Sequence, residues 1–141
     1  MKSNSVERRI MWGDLDALGI VFYPRYSEWF DASAHLFFEA VDLSLASLWQ
    51  HHHILFGLVE ITGRYHRPGR YHDRIRIVTR IESLSEKTVT LRHTIASAPG
   101  GDLMVEGLEK RICLDVSDPS KFRAIVIPDP IHRVLQAALA D

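Results

Sequence analysis

An aromatic stripe beginning at Pro24 limits the folds open to this sequence more than any other part of it. Tyr26, Trp29, Phe30, Ala34, Phe37, Phe38 and Val41 recur at the i, i+3, i+4, i+7 spacing of one helix face. Arg25, Glu28, Asp31, His35 and Glu39 fall on the opposite face. Proline is favoured in a first helical turn, so the spacing predicts a helix that opens at Pro24. Roughly seventeen residues at about 1.5 Å rise make a rod of about 25 Å, the span of a small domain. A stripe this broad needs a large apolar cover, and a sheet is the natural one.

The rest of the chain reads as that sheet. Residues 5–12 form a first short strand, and residues 13–24 a loop with turn formers at Gly13, Asp14, Asp16 and Gly19. Residues 44–50 read as a short helical turn, and residues 58–66 alternate with Val59, Ile61 and Tyr65 on one face. Arg74–Leu84 sets Ile75, Ile77 and Ile81 against Arg74, Arg76, Arg80 and Glu82, and Thr88–Ser97 turns Val89, Leu91 and Ile95 inward. In residues 103–116, Leu103 and Val105 point one way and Leu108, Ile112 and Leu114 the other, so a bulge is expected near Gly107. Residues 123–127 read as a last short strand and 131–140 as a terminal helix. The expected class is α+β, one long helix wrapped by a curved antiparallel sheet of about five strands, with the sheet edges paired in a dimer.

At 141 residues the chain is expected to be a single domain over 1–141. Seventeen Lys and Arg against eighteen Asp and Glu give a formal charge of -1, which argues against a nucleic-acid partner and leaves room for a local basic patch. The single cysteine, Cys113, excludes an intrachain disulfide and a Cys-based zinc site, and fits a reducing compartment. Residues 1–9 lack the apolar segment of a signal peptide, and no apolar run approaches the roughly 20 residues of a membrane span. A cytoplasmic address with no membrane partner is the expectation.

Several residues invite a chemical reading. His51, His52 and His53 are consecutive, which does not match metal-ligand spacing, and read as a solvated loop. Cys113 lies in an alternating strand and reads as structural. Arg64, Arg67, Arg70, Arg74, Arg76, Arg80, Lys87, Arg92 and Arg123 read mostly as a solvated face, with a few available to a phosphorylated ligand. No glycine-rich phosphate loop and no G-x-S-x-G elbow accompanies them. Asp14 and Asp16 lie one residue apart in the loop that leads into the helix. Amides of a first helical turn have no intrahelical partner and can polarise a carbonyl, which a nearby carboxylate can attack or hydrolyse through water. The same two acids also read as plain turn caps.

The string Gly13-Asp14-Leu15-Asp16-Ala17-Leu18-Gly19-Ile20-Val21-Phe22-Tyr23-Pro24-Arg25-Tyr26, followed by Trp29, Phe30 and Asp31, resembles the 4-hydroxybenzoyl-CoA thioesterase family of hotdog-fold acyl-CoA thioesterases. The likeness runs on through Gly100-Gly101-Asp102, Arg123-Ala124-Ile125 and Pro128. The resemblance implies a homodimer or homotetramer with active sites at the subunit interface. It implies Asp16 as the catalytic carboxylate, acting as nucleophile or general base, and the Tyr23 backbone amide as the group that polarises the thioester carbonyl. Asp31 matches a position near the acyl pocket. Relatives carry a basic cluster for the nucleotide phosphates where this chain has Ser85-Glu86-Lys87, which leaves Lys87, joined by Arg123 and supplemented by Arg92 or the partner subunit. No cofactor and no metal are implied, coenzyme A being part of the substrate. The aromatic helix face and Tyr23-Pro24 point to an aryl-CoA, with 4-hydroxybenzoyl-CoA leading. The alternatives are a short-chain aliphatic acyl-CoA thioesterase and a non-catalytic acyl-CoA-binding module. A hydratase would need His35, with Asp31 or Glu39, to face the pocket, and the helical pattern puts His35 on the polar side.

Overall fold

The stripe forms the helix its spacing requires. In the computed structural model, which describes residues 1–140, α1 spans Pro24–Ala40, and all seven stripe residues are buried. Val41 closes it, and Asp42, at φ 64, turns the chain toward Ser44. The Ser44 hydroxyl accepts the Ser47 N–H at 3.2 Å and caps α2, Leu45–His52. The strands are β1 (Ser3–Arg9), β2 (Ile54–Tyr65), β3 (Arg74–Leu84), β4 (Thr88–Ser97), β5 (Leu103–Asp115) and the two-residue β6 (Arg123–Ala124); α3 (Asp129–Ala140) ends the chain. They form one antiparallel sheet in the order β1-β3-β4-β5-β2, with β6 paired to β5.

The core divides into two apolar clusters along α1. Under its first turns, Tyr26, Trp29 and Phe30 meet Ile10, Val21, Ile75, Ile77, Ile95, Met104 and Val105. Under its last turns, Ala34, Phe37, Phe38 and Val41 meet Phe56, Ile81, Val89, Leu91 and Cys113. This second cluster is also sealed by Leu45 and Leu48 of α2 and by Ile131, Leu135 and Ala138 of α3. The sheet is therefore covered by three helices, where the sequence pattern assigned the cover to one. Buried polar residues Thr79, His93, Glu109 and Arg111 occupy the same face of β3, β4 and β5.

β3 and β4 have the bounds that strict alternation predicts, and six other elements differ, β6 stopping at Ala124 and α3 opening at Asp129. β1 ends at Arg9, because the Ile10 N–H turns to the Asp73 carbonyl and residues Trp12–Asp14 coil into a 3-10 turn. α2 continues past Gln50 through His52, two histidines in its last turn favouring the negative helix end. β2 starts at Ile54, and its buried end holds Ile54 and Phe56. A register shift between Leu58 and Glu60 follows, and Val59 and Tyr65 are exposed on an edge strand. β5 bulges at Met104, where its register against β4 shifts, and not at Gly107. Gly107 lies on the inner face because the Phe30 ring occupies the space a Cβ would need. Beyond it the inward positions are Glu109, Arg111 and Cys113, while Leu108, Ile112 and Leu114 lie half-buried outside.

Candidate active site

Residues 15–21 fold into a small hairpin. Leu15 bridges Val21, the Asp16 N–H donates to the Ile20 carbonyl at 2.8 Å, and the Gly19 N–H donates to the Asp16 carbonyl at 3.0 Å. Gly19 closes the turn at φ +76, a conformation open to a residue without Cβ. The structure separates the two acids of this loop. Asp14 is buried, its Oδ2 accepts the Met11 N–H at 2.9 Å, and its carbonyl accepts the Phe22 N–H at 2.8 Å. It holds the loop shut. Asp16 is half-buried, and its Oδ1 accepts the Leu18 N–H at 2.8 Å. Its Oδ2 makes no hydrogen bond among the described residues.

Tyr23 is the cap of α1 and is 65% exposed. On one side the Phe22 N–H is taken by Asp14, and on the other the Arg25 N–H donates to the Phe22 carbonyl at 2.9 Å. Pro24 has no N–H to compete. The Tyr23 N–H between them has no hydrogen-bond partner among the described residues, and it sits at the positive end of a seventeen-residue helix. A cleft of about 260 Å³ opens there, walled by Ile20, Val21, Tyr23 and Tyr26 on one side and Tyr65, His66 and Arg67 on the other. Asp16 is not part of its wall; it stands at the hairpin position opposite Ile20. Burial raises the Tyr26 hydroxyl above the ordinary phenol range even though it accepts the Gly69 N–H at 3.3 Å, so it remains protonated. A larger groove of about 510 Å³ lies beside Trp49, Leu55 and Phe122, with His53 as its one titratable lining residue.

Asp31 lies eight residues along α1 from Tyr23, about 12 Å at 1.5 Å per residue. Its Oδ1 accepts a hydrogen bond from Arg111 Nη2 at 2.6 Å, and His35 Nε2 stands 3.8 Å away on the exposed side. Arg111 also donates to Glu109 at 2.9 Å and to the Phe56 carbonyl at 3.0 Å. For Glu109, burial works against the charged form, but His93 and Arg111 outweigh it and hold the carboxyl below its ordinary range. Arg111 is likewise raised by its two carboxylates against the effect of burial. The sequence reading missed Arg111, along with Tyr65 and His66 in the cleft wall. The available signal was strand phase, which places Arg111 on the same face as Cys113.

Lys87 and Arg123 come together at the other end of the sheet. The Cys113 N–H donates to the Lys87 carbonyl at 2.8 Å, and the Ile125 N–H donates to the Cys113 carbonyl at 3.0 Å, so their two segments flank one residue of β5. Both side chains are exposed. Arg123 reaches Asp115 at 3.2 Å; the Ser117 hydroxyl and amide, with Arg123, hold that carboxyl at about 2. Arg92 is committed elsewhere, to Glu82 at 2.8 Å and Glu106 at 3.7 Å. Burial pushes the Cys113 thiol up to about 11, which leaves it without a thiolate at neutral pH. The structure thus places Asp16 in the hairpin that leads to Tyr23, brings the Lys87 and Arg123 segments together, and separates the two pairs. The hairpin joins the chain just before β3, through the Val21–Gly69 and Ile20–Arg70 contacts, and Lys87 lies just after it. Eleven residues of β3 intervene, roughly 35 Å of strand at about 3.3 Å per residue.

Comparison with known proteins agrees with this architecture. A 4-hydroxybenzoyl-CoA thioesterase from Pseudomonas sp. (strain CBS-3) is 29% identical over 135 residues, spanning 90% of this chain and 93% of that protein. An Asp-to-Asn mutant of a 4-hydroxybenzoyl-CoA thioesterase, solved in complex with 4-hydroxybenzoyl-CoA, matches with a TM-score of 0.87 at 27% identity, over 96% of this chain and 99% of that one. A gentisyl-coenzyme A thioesterase matches with a TM-score of 0.82 at 29% identity, over 94% and 99% of the two chains. Residues 10–139 match the thioesterase-like superfamily. With the hotdog architecture in place from β1 to α3, the chain belongs to that superfamily.

Proposed function

We propose that this thioesterase hydrolyses an aryl-CoA thioester, with 4-hydroxybenzoyl-CoA as the leading substrate, to coenzyme A and the free acid. The observation that carries the reading is the unpartnered Tyr23 amide at the start of α1, beside a hairpin that presents one unbonded oxygen of Asp16. The named relatives act on aryl thioesters, which supports the acyl assignment. In this reading the thioester carbonyl oxygen accepts the Tyr23 N–H. Charge developing on that oxygen is stabilised by an amide already aimed and by the helix dipole. Asp16 then either attacks the carbonyl carbon, expelling the CoA thiolate and leaving a mixed anhydride that water cleaves to the free acid, or takes a proton from a water that attacks that carbon as the thiolate leaves. A thioester carbonyl is electrophilic enough that one carboxylate and one donor suffice, so no resident metal or cofactor is needed.

Asp31, Lys87 and Arg123 complete the reading. Asp31 lies near the acyl group, and Lys87 and Arg123 meet the nucleotide phosphates as point charge and fork. Because those two lie a full strand length from Asp16 in the same chain, the phosphate contacts for one site come from a second copy. The exposed edge of β2, with Leu58, Val59 and Tyr65, is the surface that supports such pairing. The reading therefore takes the protein as a homodimer or a pair of dimers in the cytoplasm.

The test is free-thiol release from 4-hydroxybenzoyl-CoA, benzoyl-CoA, acetyl-CoA and a long-chain acyl-CoA. The expected result is a kcat/KM preference for the aryl esters. Lys87→Ala with Arg123→Ala should raise KM for the CoA ester by about tenfold and leave the N-acetylcysteamine ester of the same acid unaffected. Preference for acetyl-CoA would move the substrate to the aliphatic class, and no release from any ester would reject the enzyme reading.

A further inference from the structure

The cleft beside the Tyr23 amide has a second polar wall, and neither the hairpin nor α1 supplies it. His66 and Arg67 follow the end of β2, and their N–H groups both donate to the Met104 carbonyl, at 2.8 and 3.1 Å. Met104 is where the β5 register slips, and a bulge re-aims the chain beside it. His66 is thereby fixed in the cleft wall that faces Ile20, Val21 and Tyr23. Its side chain is 41% exposed, and Nε2–H donates to Glu106 Oε2 at 2.9 Å. Glu106 is held in turn by Arg92, whose Nη1 lies 3.7 Å from Oε1. A carboxylate only accepts, so in the neutral ring the proton sits on Nε2 and the lone pair on Nδ1. His66 Nδ1 makes no hydrogen bond among the described residues. A carboxylate-oriented imidazole with its basic nitrogen free, in a cleft that also holds a free amide, pairs a base with an oxyanion donor.

We propose that His66 is the base of the second half-reaction: its Nδ1 takes a proton from the water that cleaves the Asp16 mixed anhydride. This rests on the thioesterase reading and commits Asp16 to the nucleophilic role. In the first half, an Asp16 oxygen bonds to the acyl carbon, the C–S bond breaks, and CoA leaves as the thiolate with the electron pair. In the second half, a water oxygen bonds to the acyl carbon, and its proton passes to His66 Nδ1. The C–O bond to Asp16 then breaks and returns the carboxylate. The imidazolium is stabilised by Glu106 until it gives its proton to solvent. Asp16 cannot be the base at this stage, because the anhydride consumes it. Among the described residues that line the cleft, His66 is the one side chain able to take a proton at neutral pH; the others that titrate are phenols and a guanidinium. The groups around it come from several elements: Arg64 and Tyr65 of β2, Arg92 of β4, Glu106 of β5, and Tyr23 and Tyr26 at the start of α1. Arg67, next in the chain, pairs with Asp102 at 3.0 Å. Of all these, Glu106 alone is hydrogen-bonded to the ring among the described residues, and it acts as a positioning residue through His66.

The experiment follows thiol release from 4-hydroxybenzoyl-CoA by stopped flow, at enzyme concentrations high enough to see the first turnover, in the wild type, His66→Gln and Glu106→Gln. His66→Gln should release one thiol per active site at a first-turnover rate within about twofold of the wild type, then turn over about a hundredfold more slowly. Hydroxylamine, which opens an anhydride without help from a base, should trap that burst as the acyl hydroxamate and restore turnover. The wild-type kcat should fall in acid as the imidazole takes a proton, and His66→Gln should lack that acid limb. Glu106→Gln should show the same burst with a smaller loss in later turnovers. Its acid limb should move to lower pH, since the imidazolium loses its counter-charge. Both side chains are partly exposed, so melting temperatures should stay at the wild-type value. Equal slowing of first and later turnovers in His66→Gln, or an unchanged rate and pH profile, overturns the inference while the thioesterase reading stands. Failure of the wild type to release thiol from any ester rejects both.

Discussion

The two halves of the core share one helix and end in opposite ways. Under the last turns of α1, Phe37, Phe38, Phe56, Leu91 and Leu135 are fully buried, and α2 and α3 close the cluster. Under the first turns, the same stripe meets a rim that stays open: Trp12 is 73% exposed, Leu18 79% and Tyr23 65%. The sealed half has the apolar contact that stabilises a fold. The open half presents apolar surface, an unpaired amide and a half-buried carboxylate on one tip, which is the combination expected where a ligand or a second copy completes the surface. Substitutions in the two halves should therefore separate stability from catalysis.

The sharpest break of this comparison lies in the sealed half. Phe38→Ala should lower unfolding free energy by about 3–5 kcal/mol in urea titration, because the ring leaves a cavity that three helices cannot close. The kcat of the protein that remains folded should not change; a fall in kcat at unchanged stability would show that the halves do not divide this way. At the seam, Glu109→Gln should cost about 3 kcal/mol at neutral pH, since Arg111 then keeps only one carboxylate. Its pH dependence has a definite sign. The folded carboxyl lies below its ordinary range, so its stabilisation is complete above about pH 4.3 and fades as pH falls through the lowered folded value. The gap between wild type and Glu109→Gln should narrow in acid, as read from urea midpoints at a series of pH values. A gap that widened in acid would mean the Glu109 carboxyl is raised in the folded state.

Smaller effects sharpen the same picture. Gly107→Ala inserts a Cβ into the space of the Phe30 ring and should cost about 1–3 kcal/mol. Since Phe30 stacks on His93 and precedes Asp31, this variant should also alter aryl-ester KM, unlike Phe38→Ala. Ser44→Ala removes the cap of α2 at the sealed end and should cost about 1 kcal/mol by thermal melting, with no kinetic change.

How far the sequence spoke for the structure depended on which signals competed. α1 was legible because seven apolar residues repeat at helical spacing and Pro24 marks the start. β3 and β4 were legible to the residue because alternation runs from Ile75 to Ile81 and from Val89 to Ile95 between turn formers, even though the β3 register shifts between Ile81 and Ser83. β2 was not, since a bulge and an edge position let Val59 and Tyr65 face outward. β5 was misread at Gly107 because Glu109 and Arg111 look like a solvated face. Each in fact neutralises the other in the interior, so no bulge is needed to bring Leu108 outside. At the tip, the string from Gly13 to Tyr26 pointed to Asp16 and Tyr23, and local backbone bonding is what distinguishes Asp16 from Asp14. The Asp31–Arg111 pair stayed hidden because eighty positions separate its members and no local pattern links them.

The most direct test of the account is release of free thiol from 4-hydroxybenzoyl-CoA by the wild type and by Asp16→Asn, followed alongside thermal unfolding and ester binding. The account predicts turnover by the wild type and a loss of at least about a hundredfold in kcat for the variant, with binding and melting temperature unchanged. Equal turnover by both proteins would contradict it and move the chemistry away from the hairpin.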